Sequence, residues 1–133
     1  MMTTPTVLHQ TIDIDGISTF YRQAGADDAP VVLLPHGYPC SSYAFRNILP
    51  ALADRWRLIA PDFPGSGYSD TPKGFPYDFD GFCHFLDRFL GRLGIQRYAL
   101  YLHDFGSQIG LRLAIRAPER VTALIIQNGD IYE

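Results

Sequence analysis

The sequence predicts an α/β protein whose sheet is mostly parallel, with helices on both faces and an antiparallel hairpin at the start. One observation is that four short apolar runs recur along the 133 residues, each continuous rather than alternating. Continuous runs are typical of strands buried on both faces of a sheet. The other is that helical apolar spacing separates some of these runs, and strand–helix alternation favours parallel strands joined by right-handed crossovers.

The elements follow in order along the chain. Residues 7–14 and 17–24 alternate in polarity around Asp15-Gly16, which predicts two antiparallel strands joined by a tight turn. The buried strands are predicted at VVLL (31–34), RLIA (57–60), YALYL (98–102) and TALII (122–126). Helices are predicted over 45–53, 82–93 and 107–117, and the two prolines of TPKGFPY (71–77) indicate a loop.

Composition limits the possible functions. A chain of 133 residues that is 47% hydrophobic can form one domain, residues 1–133, with a buried core. The net charge is -3 and no basic block is present, so we expect no nucleic-acid partner. No apolar run reaches the roughly 18 residues of a membrane span. The N-terminus lacks a secretory layout, and we therefore expect a cytoplasmic protein that does not enter membranes.

The two cysteines give no sign of a metal site or disulfide framework. Cys40 and Cys83 lack metal-type spacing, so we expect free, partly buried thiols, no metal and no cofactor.

One carboxylate occupies an unusual position. In YLHDFGSQIG (101–110), Asp104 lies between a predicted buried strand and a predicted helix, with Gly106 and Gly110 one turn apart. Ligands of open parallel sheets bind beyond the carboxyl ends of the strands, where this corner points. Taken alone, Asp104 could be a solvated loop charge, a helix cap or a nucleophile.

Four motifs occur in order: HGYP (36–39), PDFPGSGYSD (61–70), LHDFG (102–106) and APERV (117–121). Together they resemble the N-terminal half of an α/β-hydrolase without its cap, in the branch with an aspartate nucleophile, which includes epoxide hydrolases and haloalkane dehalogenases. The family's elbow is usually G-x-S-x-G. Here Asp104 replaces the serine, and Leu102 stands where a smaller residue is expected, which predicts a strained or widened elbow.

The resemblance implies a role for each motif residue. Asp104 would be the nucleophile, already charged at neutral pH and attacking a small-molecule substrate. The backbone N–H groups of Tyr38 and Phe105 would form the oxyanion hole. The Tyr38-Pro39 peptide would be cis. The supporting loop positions would be His36, Gly37, Pro39, His103 and Gly106.

The same two oxyanion positions bear on the substrate. Haloalkane dehalogenases carry side-chain N–H donors there for the leaving halide, and Tyr38 and Phe105 do not supply them. The resemblance therefore favours an epoxide over a haloalkane.

The remaining catalytic groups are not evident. The family's histidine follows the sixth strand, whereas His9, His36, His84 and His103 all precede Asp104, so we expect none to be the base. Asn128 stands where some members carry the acid, and Asp130 is the candidate acid.

Two hypotheses follow for the chain as a whole. It is a hydrolase when completed by a missing C-terminal half and cannot turn over alone, or it is a non-catalytic homologue that serves as a binding module. In both cases we expect a second chain or a further copy to cover the strand at 121–126.

Overall fold

The computed structural model describes residues 6–129. Its strands are β1 (Leu8–Ile14), β2 (Ile17–Ala24), β3 (Val31–Leu33), β4 (Arg57–Pro61), β5 (Tyr98–Asp104) and β6 (Val121–Gly129). Its helices are α1 (Ile48–Leu52), α2 (Phe79–Leu93) and α3 (Phe105–Arg116), with 3-10 turns at Ser42–Phe45 and Pro118–Arg120. The sheet order is β1-β2-β4-β3-β5-β6, and only the β1–β2 and β2–β4 pairs are antiparallel. The predicted fold class is confirmed.

The hairpin turn forms where the sequence predicts it. Asp15 and Gly16 both have positive φ, 51° and 88°, which is the backbone that a two-residue hairpin turn requires.

Successive side chains of a strand point to opposite faces of the sheet. In β3, β4 and β5 both faces carry buried apolar residues. Leu33, Ile59 and Leu100 belong to the core beneath α2 and α3. Their neighbours Val32, Leu58 and Ala99 belong to a second core with Phe45 and Leu49. The continuous apolar runs of β3, β4 and β5 therefore each contribute to two cores.

Two local predictions were wrong. The helix predicted over 45–53 is a 3-10 turn followed by the short α1, because the ring of Pro50 would clash with the carbonyl of Arg46 in a continuous helix. Cys40 is exposed, whereas only Cys83 is buried, although both thiols are free.

The strand β6 forms the edge of the sheet. Within residues 6–129 it pairs with β5 alone, and Leu124, Ile125 and Ile126 are 46%, 44% and 61% exposed. An apolar strand edge of this kind invites pairing with another segment. Among residues 6–129, no helix combines the length and apolar character that crossing a membrane requires.

Candidate active site

Asp104 lies at a strained corner between β5 and α3. Its backbone has φ 54° and ψ -137°, a region that costs a non-glycine residue about 1–3 kcal/mol. Two glycines make this corner possible. A Cβ at Gly106 would lie 2.2 Å from the Pro35 carbonyl oxygen, and a Cβ at Gly37 would lie 2.5 Å from Asp104 Oδ1. The chain therefore brings the turn after β3 into direct contact with the corner.

Leu102, the departure from the usual elbow, is accommodated by a helix glycine. Its side chain is fully buried, and its Cδ2 would lie 2.4 Å from a Cβ at Gly110. Gly110, one turn beyond Gly106 in α3, therefore leaves the space that Leu102 occupies. The strained backbone is at Asp104.

Two backbone amides converge on one oxygen of the Asp104 carboxylate. Phe105 N–H donates to Oδ1 at 2.7 Å, and Tyr38 N–H donates to the same oxygen at 3.2 Å. These two hydrogen bonds, that of Phe105 first, lower the pKa of Asp104 below its ordinary value. Neither amide binds Oδ2.

This geometry is not that of an ordinary helix cap. A usual N-cap residue has an extended backbone, and its side chain accepts from the second or third helical amide. Asp104 has a positive φ, accepts from the first amide of α3, and also binds an amide 66 residues away in sequence. The carboxylate is instead held between two loops.

His36 fixes the loop that carries Tyr38. Its buried ring donates from Nδ1 to the Gly37 carbonyl at 2.7 Å, and its Nε2 accepts from Phe63 N–H at 3.1 Å. Burial is the main cause that lowers its pKa, so the ring is neutral at pH 7. The following Tyr38-Pro39 peptide is cis, as predicted.

A buried polar network behind this loop was not evident from the sequence. Asp62, fully buried, accepts from Ser42 N–H at 2.7 Å and from Tyr68 N–H at 2.9 Å. Ser42 Oγ in turn accepts from Nε of the buried Arg22 at 2.9 Å. The network ties β2 to the loops after β3 and β4, and a lone arginine in an alternating strand gives no signal of it.

A cavity of about 620 Å³ opens beside the carboxylate. Tyr38 and Phe105, which donate the two amide hydrogen bonds, both line it, although Asp104 itself does not. Their rings stack with centroids 6.0 Å apart at 29°. The other apolar lining residues are Phe63, Pro64, Tyr77, Phe79, Phe82 and Ile109. The cavity therefore suits an apolar, particularly an aromatic, ligand.

None of the histidines within residues 6–129 contacts Asp104 through a hydrogen bond of its ring. His103 Nδ1 donates to the Gln127 carbonyl at 2.9 Å, which turns the ring toward β6. His84 pairs with Arg88, and His9 pairs with Arg22. In this part of the chain, no three His, Cys, Asp or Glu side chains form a metal-binding group. Asn128 lies in β6, and Asp130, the candidate acid, lies outside the described residues.

The sequence and the fold agree with a known family. The model of the alpha/beta hydrolase fold family matches residues 30–131. The chain belongs to the α/β-hydrolase family.

Relatives within the family include dehalogenases and epoxide hydrolases. The chain is 44% identical over 119 residues to the Uncharacterized hydrolase YNR064C of Saccharomyces cerevisiae, covering 90% of this chain and 41% of that protein. It is 41% identical to a haloalkane dehalogenase of Bradyrhizobium diazoefficiens, covering 82% of this chain and 35% of that protein.

Solved structures agree with these sequence relatives. The haloalkane dehalogenase DbeA from Bradyrhizobium elkani superposes with a TM-score of 0.88 at 35% identity, covering 93% of this chain and 42% of that one. The epoxide hydrolase VrEH1 from Vigna radiata superposes with a TM-score of 0.83 at 29% identity, covering 90% of this chain and 39% of that one. The chain spans about two fifths of the length of these relatives.

Proposed function

We propose that the protein is a hydrolase that uses Asp104 as a nucleophile and forms a covalent ester with its substrate. The observation that carries this proposal is the convergence of the Tyr38 and Phe105 amides on Oδ1, at a strained strand–helix corner. Because Oδ1 is held by both amides, Oδ2 is the oxygen that attacks. The hydrogen bonds also keep the carboxylate charged, so attack needs no base.

The reaction has two steps. Oδ2 forms a bond to an oxirane carbon, the bond between that carbon and the ring oxygen breaks, and the released alkoxide takes a proton from solvent water to become a hydroxyl. Water then attacks the ester carbonyl carbon of Asp104, and the negative charge that develops on Oδ1 is stabilised by the same two amides. Cleavage of the bond between the carbonyl carbon and Oδ2 expels the alcohol, restores the carboxylate and returns one proton to the solvent, so the sum is oxirane plus water to diol.

The residues around the carboxylate favour an epoxide over a haloalkane. A departing halide needs donors that stabilise its charge, whereas the epoxide oxygen stays on the product and needs only a proton. The side chains of Tyr38 and Phe105 at the carboxylate are aromatic rings that stack on each other rather than a pair of N–H donors. Relatives of both kinds exist, so the substrate preference has to be measured.

The second step needs a group that activates water. None of the described histidine rings hydrogen-bonds to Asp104, and the matched relatives are longer than this chain. We therefore propose that residues outside 6–129 supply the base and the acid, with Asp130 a candidate for the acid.

A panel of substrates tests the proposal. An aryl oxirane, a haloalkane and a carboxylic ester are incubated with the protein, and both the intact mass and the product are followed. We expect the oxirane to add one substrate mass per chain faster than the haloalkane, and the carboxylic ester to add none. Asp104→Asn should abolish the adduct, because the amide is a far weaker nucleophile. If Asp104→Asn is labelled as much as the native protein, Asp104 is not the nucleophile.

The alternative is a binding module that shares the fold. The observation that favours it is that no histidine ring within residues 6–129 hydrogen-bonds to Asp104, so this part of the chain offers no histidine to activate water there. Binding of an oxirane without any covalent adduct would support this alternative.

We also propose that a second chain or a further polypeptide segment covers β6. Its apolar side chains are exposed at the edge of the sheet. Hydrogen exchange should show protected β6 amides in the assembled protein. A monodisperse monomer whose β6 amides exchange freely would reject the proposal.

A further inference from the structure

Two cavities meet at the side chain of Tyr38. The second cavity, of about 650 Å³, lies beside the first and is more open to solvent. The two share Tyr38, Gly65 and Ser66 in their linings. Glycine has no side chain and serine has a small one, so Tyr38 is the shared lining residue with a large side chain.

The ring of Tyr38 is well placed to separate the two spaces. Its side chain is 74% exposed, so it projects from the loop rather than packing into the core. Its own backbone N–H donates to Asp104 Oδ1, so the residue is beside the attacking carboxylate. The ring contacts that of Phe105, which lines the first cavity.

The chemistry differs on the two sides. The first cavity is walled by aromatic rings, including Phe63, Phe79 and Phe82. The second has Ser41 and the positively charged Arg46 in its lining, beside Pro39, Tyr43 and Ala44. The Arg46 guanidinium lies 4.4 Å from the Tyr43 ring centroid and donates to the Tyr43 carbonyl at 3.1 Å. A guanidinium has five N–H donors, so others remain for a ligand.

We propose that Tyr38 determines substrate specificity by dividing the site into two subsites. The preferred substrate is an oxirane with an aryl arm on one carbon and a short polar or anionic arm on the other. The aryl arm occupies the aromatic cavity, and the polar arm passes Tyr38 toward Arg46. This inference rests on the proposed function, since it assumes that Asp104 Oδ2 attacks the oxirane carbon between the two arms.

Three oxiranes test the division: styrene oxide, which has no second arm, trans-3-phenylglycidate, which has a carboxylate, and trans-stilbene oxide, which has a second phenyl ring. The rate of adduct formation on the purified protein is divided by the rate with free acetate, which removes differences in intrinsic reactivity. The native protein should prefer 3-phenylglycidate over both others. Tyr38→Ala and Tyr38→Leu keep the backbone N–H and should raise the relative rate of stilbene oxide about tenfold or more.

Two further variants sharpen the test. Arg46→Gln should lower the relative rate of 3-phenylglycidate about threefold to tenfold and leave styrene oxide unchanged. Tyr68→Ala is the matched control, since Tyr68 is 77% exposed but lines neither cavity, and it should leave all ratios unchanged.

The outcomes separate the two proposals. If no oxirane labels native Asp104, the proposed function is wrong and this inference falls with it. If the native protein is labelled but both Tyr38 variants keep its ratios within about twofold, the division by Tyr38 is wrong while the proposed function stands. An unchanged 3-phenylglycidate ratio in Arg46→Gln would overturn the anionic subsite.

Discussion

Gly106→Ala tests whether close backbone contact assembles the oxyanion hole. The added Cβ would lie 2.2 Å from the Pro35 carbonyl oxygen, 3.0 Å from the Pro35 carbonyl carbon and 3.3 Å from the His36 carbonyl oxygen. All three atoms are backbone, so no side chain can rotate away. The start of α3 and the loop after β3 must therefore move apart.

The required movement can be estimated from the contact itself. Raising the distance from 2.2 Å to the 3.0 Å below which real Cβ contacts are essentially absent needs at least 0.8 Å (3.0 - 2.2). Phe105 moves with α3, and Tyr38 moves with the loop. If the displacement falls on the Tyr38 hydrogen bond, its present 3.2 Å becomes about 4.0 Å, which is too long for a hydrogen bond.

The expected result is loss of one of the two donors to Oδ1. Loss of one oxyanion-hole donor lowers the rate of the step it stabilises about 100-fold to 1,000-fold. The pKa of Asp104 should rise toward its ordinary value, and the overpacking should cost about 1–3 kcal/mol of unfolding free energy.

Three quantities are measured: the rate of ester hydrolysis at Asp104, the pH dependence of adduct formation, and the unfolding free energy in urea. Gly91→Ala is the control, since a Cβ added to this glycine on the exposed side of α2 would have nothing within 4 Å, and alanine there should stabilise by about 1 kcal/mol. A folded Gly106→Ala protein with the native hydrolysis rate and Asp104 pKa would refute the reasoning.

Three other predictions concern pH and packing. Adduct formation should stay constant through neutral pH and fall only in acid, with a midpoint below the ordinary aspartate pKa of 3.8, because the two amides lower the pKa of Asp104; a midpoint above 3.8 in a rate profile would contradict this. Burial lowers the pKa of His36 below 6.5, so its contribution to unfolding free energy should be complete above pH 6.5 and be lost as pH falls through the folded-state pKa. Urea titrations should show this loss in the native protein and not in His36→Phe. The Tyr98 hydroxyl is buried without a hydrogen-bond partner among residues 6–129, and burial raises its pKa to about 12. Tyr98→Phe should therefore leave the unfolding free energy equal or raise it by up to about 1 kcal/mol. A clear decrease would indicate a hydrogen-bond partner for the hydroxyl.

The sheet could be predicted from the sequence because its signals are local. Continuous apolar runs identified β3 to β6, and Asp15-Gly16 identified the hairpin turn. The helix over 45–53 was wrong because apolar spacing was given more weight than Pro50. The exposure of Cys40 depends on the direction of a loop, which periodicity does not reveal.

The site was predictable only in part. The strained corner at Asp104 follows from a strand, a helix and nearby glycines, all adjacent in sequence. Its second amide donor comes from Tyr38, 66 residues away, and the sequence suggested it only through resemblance to a family. The link from Arg22 to Asp62 through Ser42 had no signal at all, because no local pattern distinguishes a buried arginine from an exposed one.

The central claim is that the Asp104 carboxylate forms an ester with the substrate, and peptide mass spectrometry tests it most directly. After incubation with an aryl oxirane, trypsin should release the peptide of residues 98–112, which also contains Tyr98, Tyr101 and His103 as competing nucleophiles. We predict one added substrate mass on Asp104 by fragmentation, removed by hydroxylamine because it is an ester. An adduct that resists hydroxylamine, or that lies on a tyrosine or His103, would contradict the account.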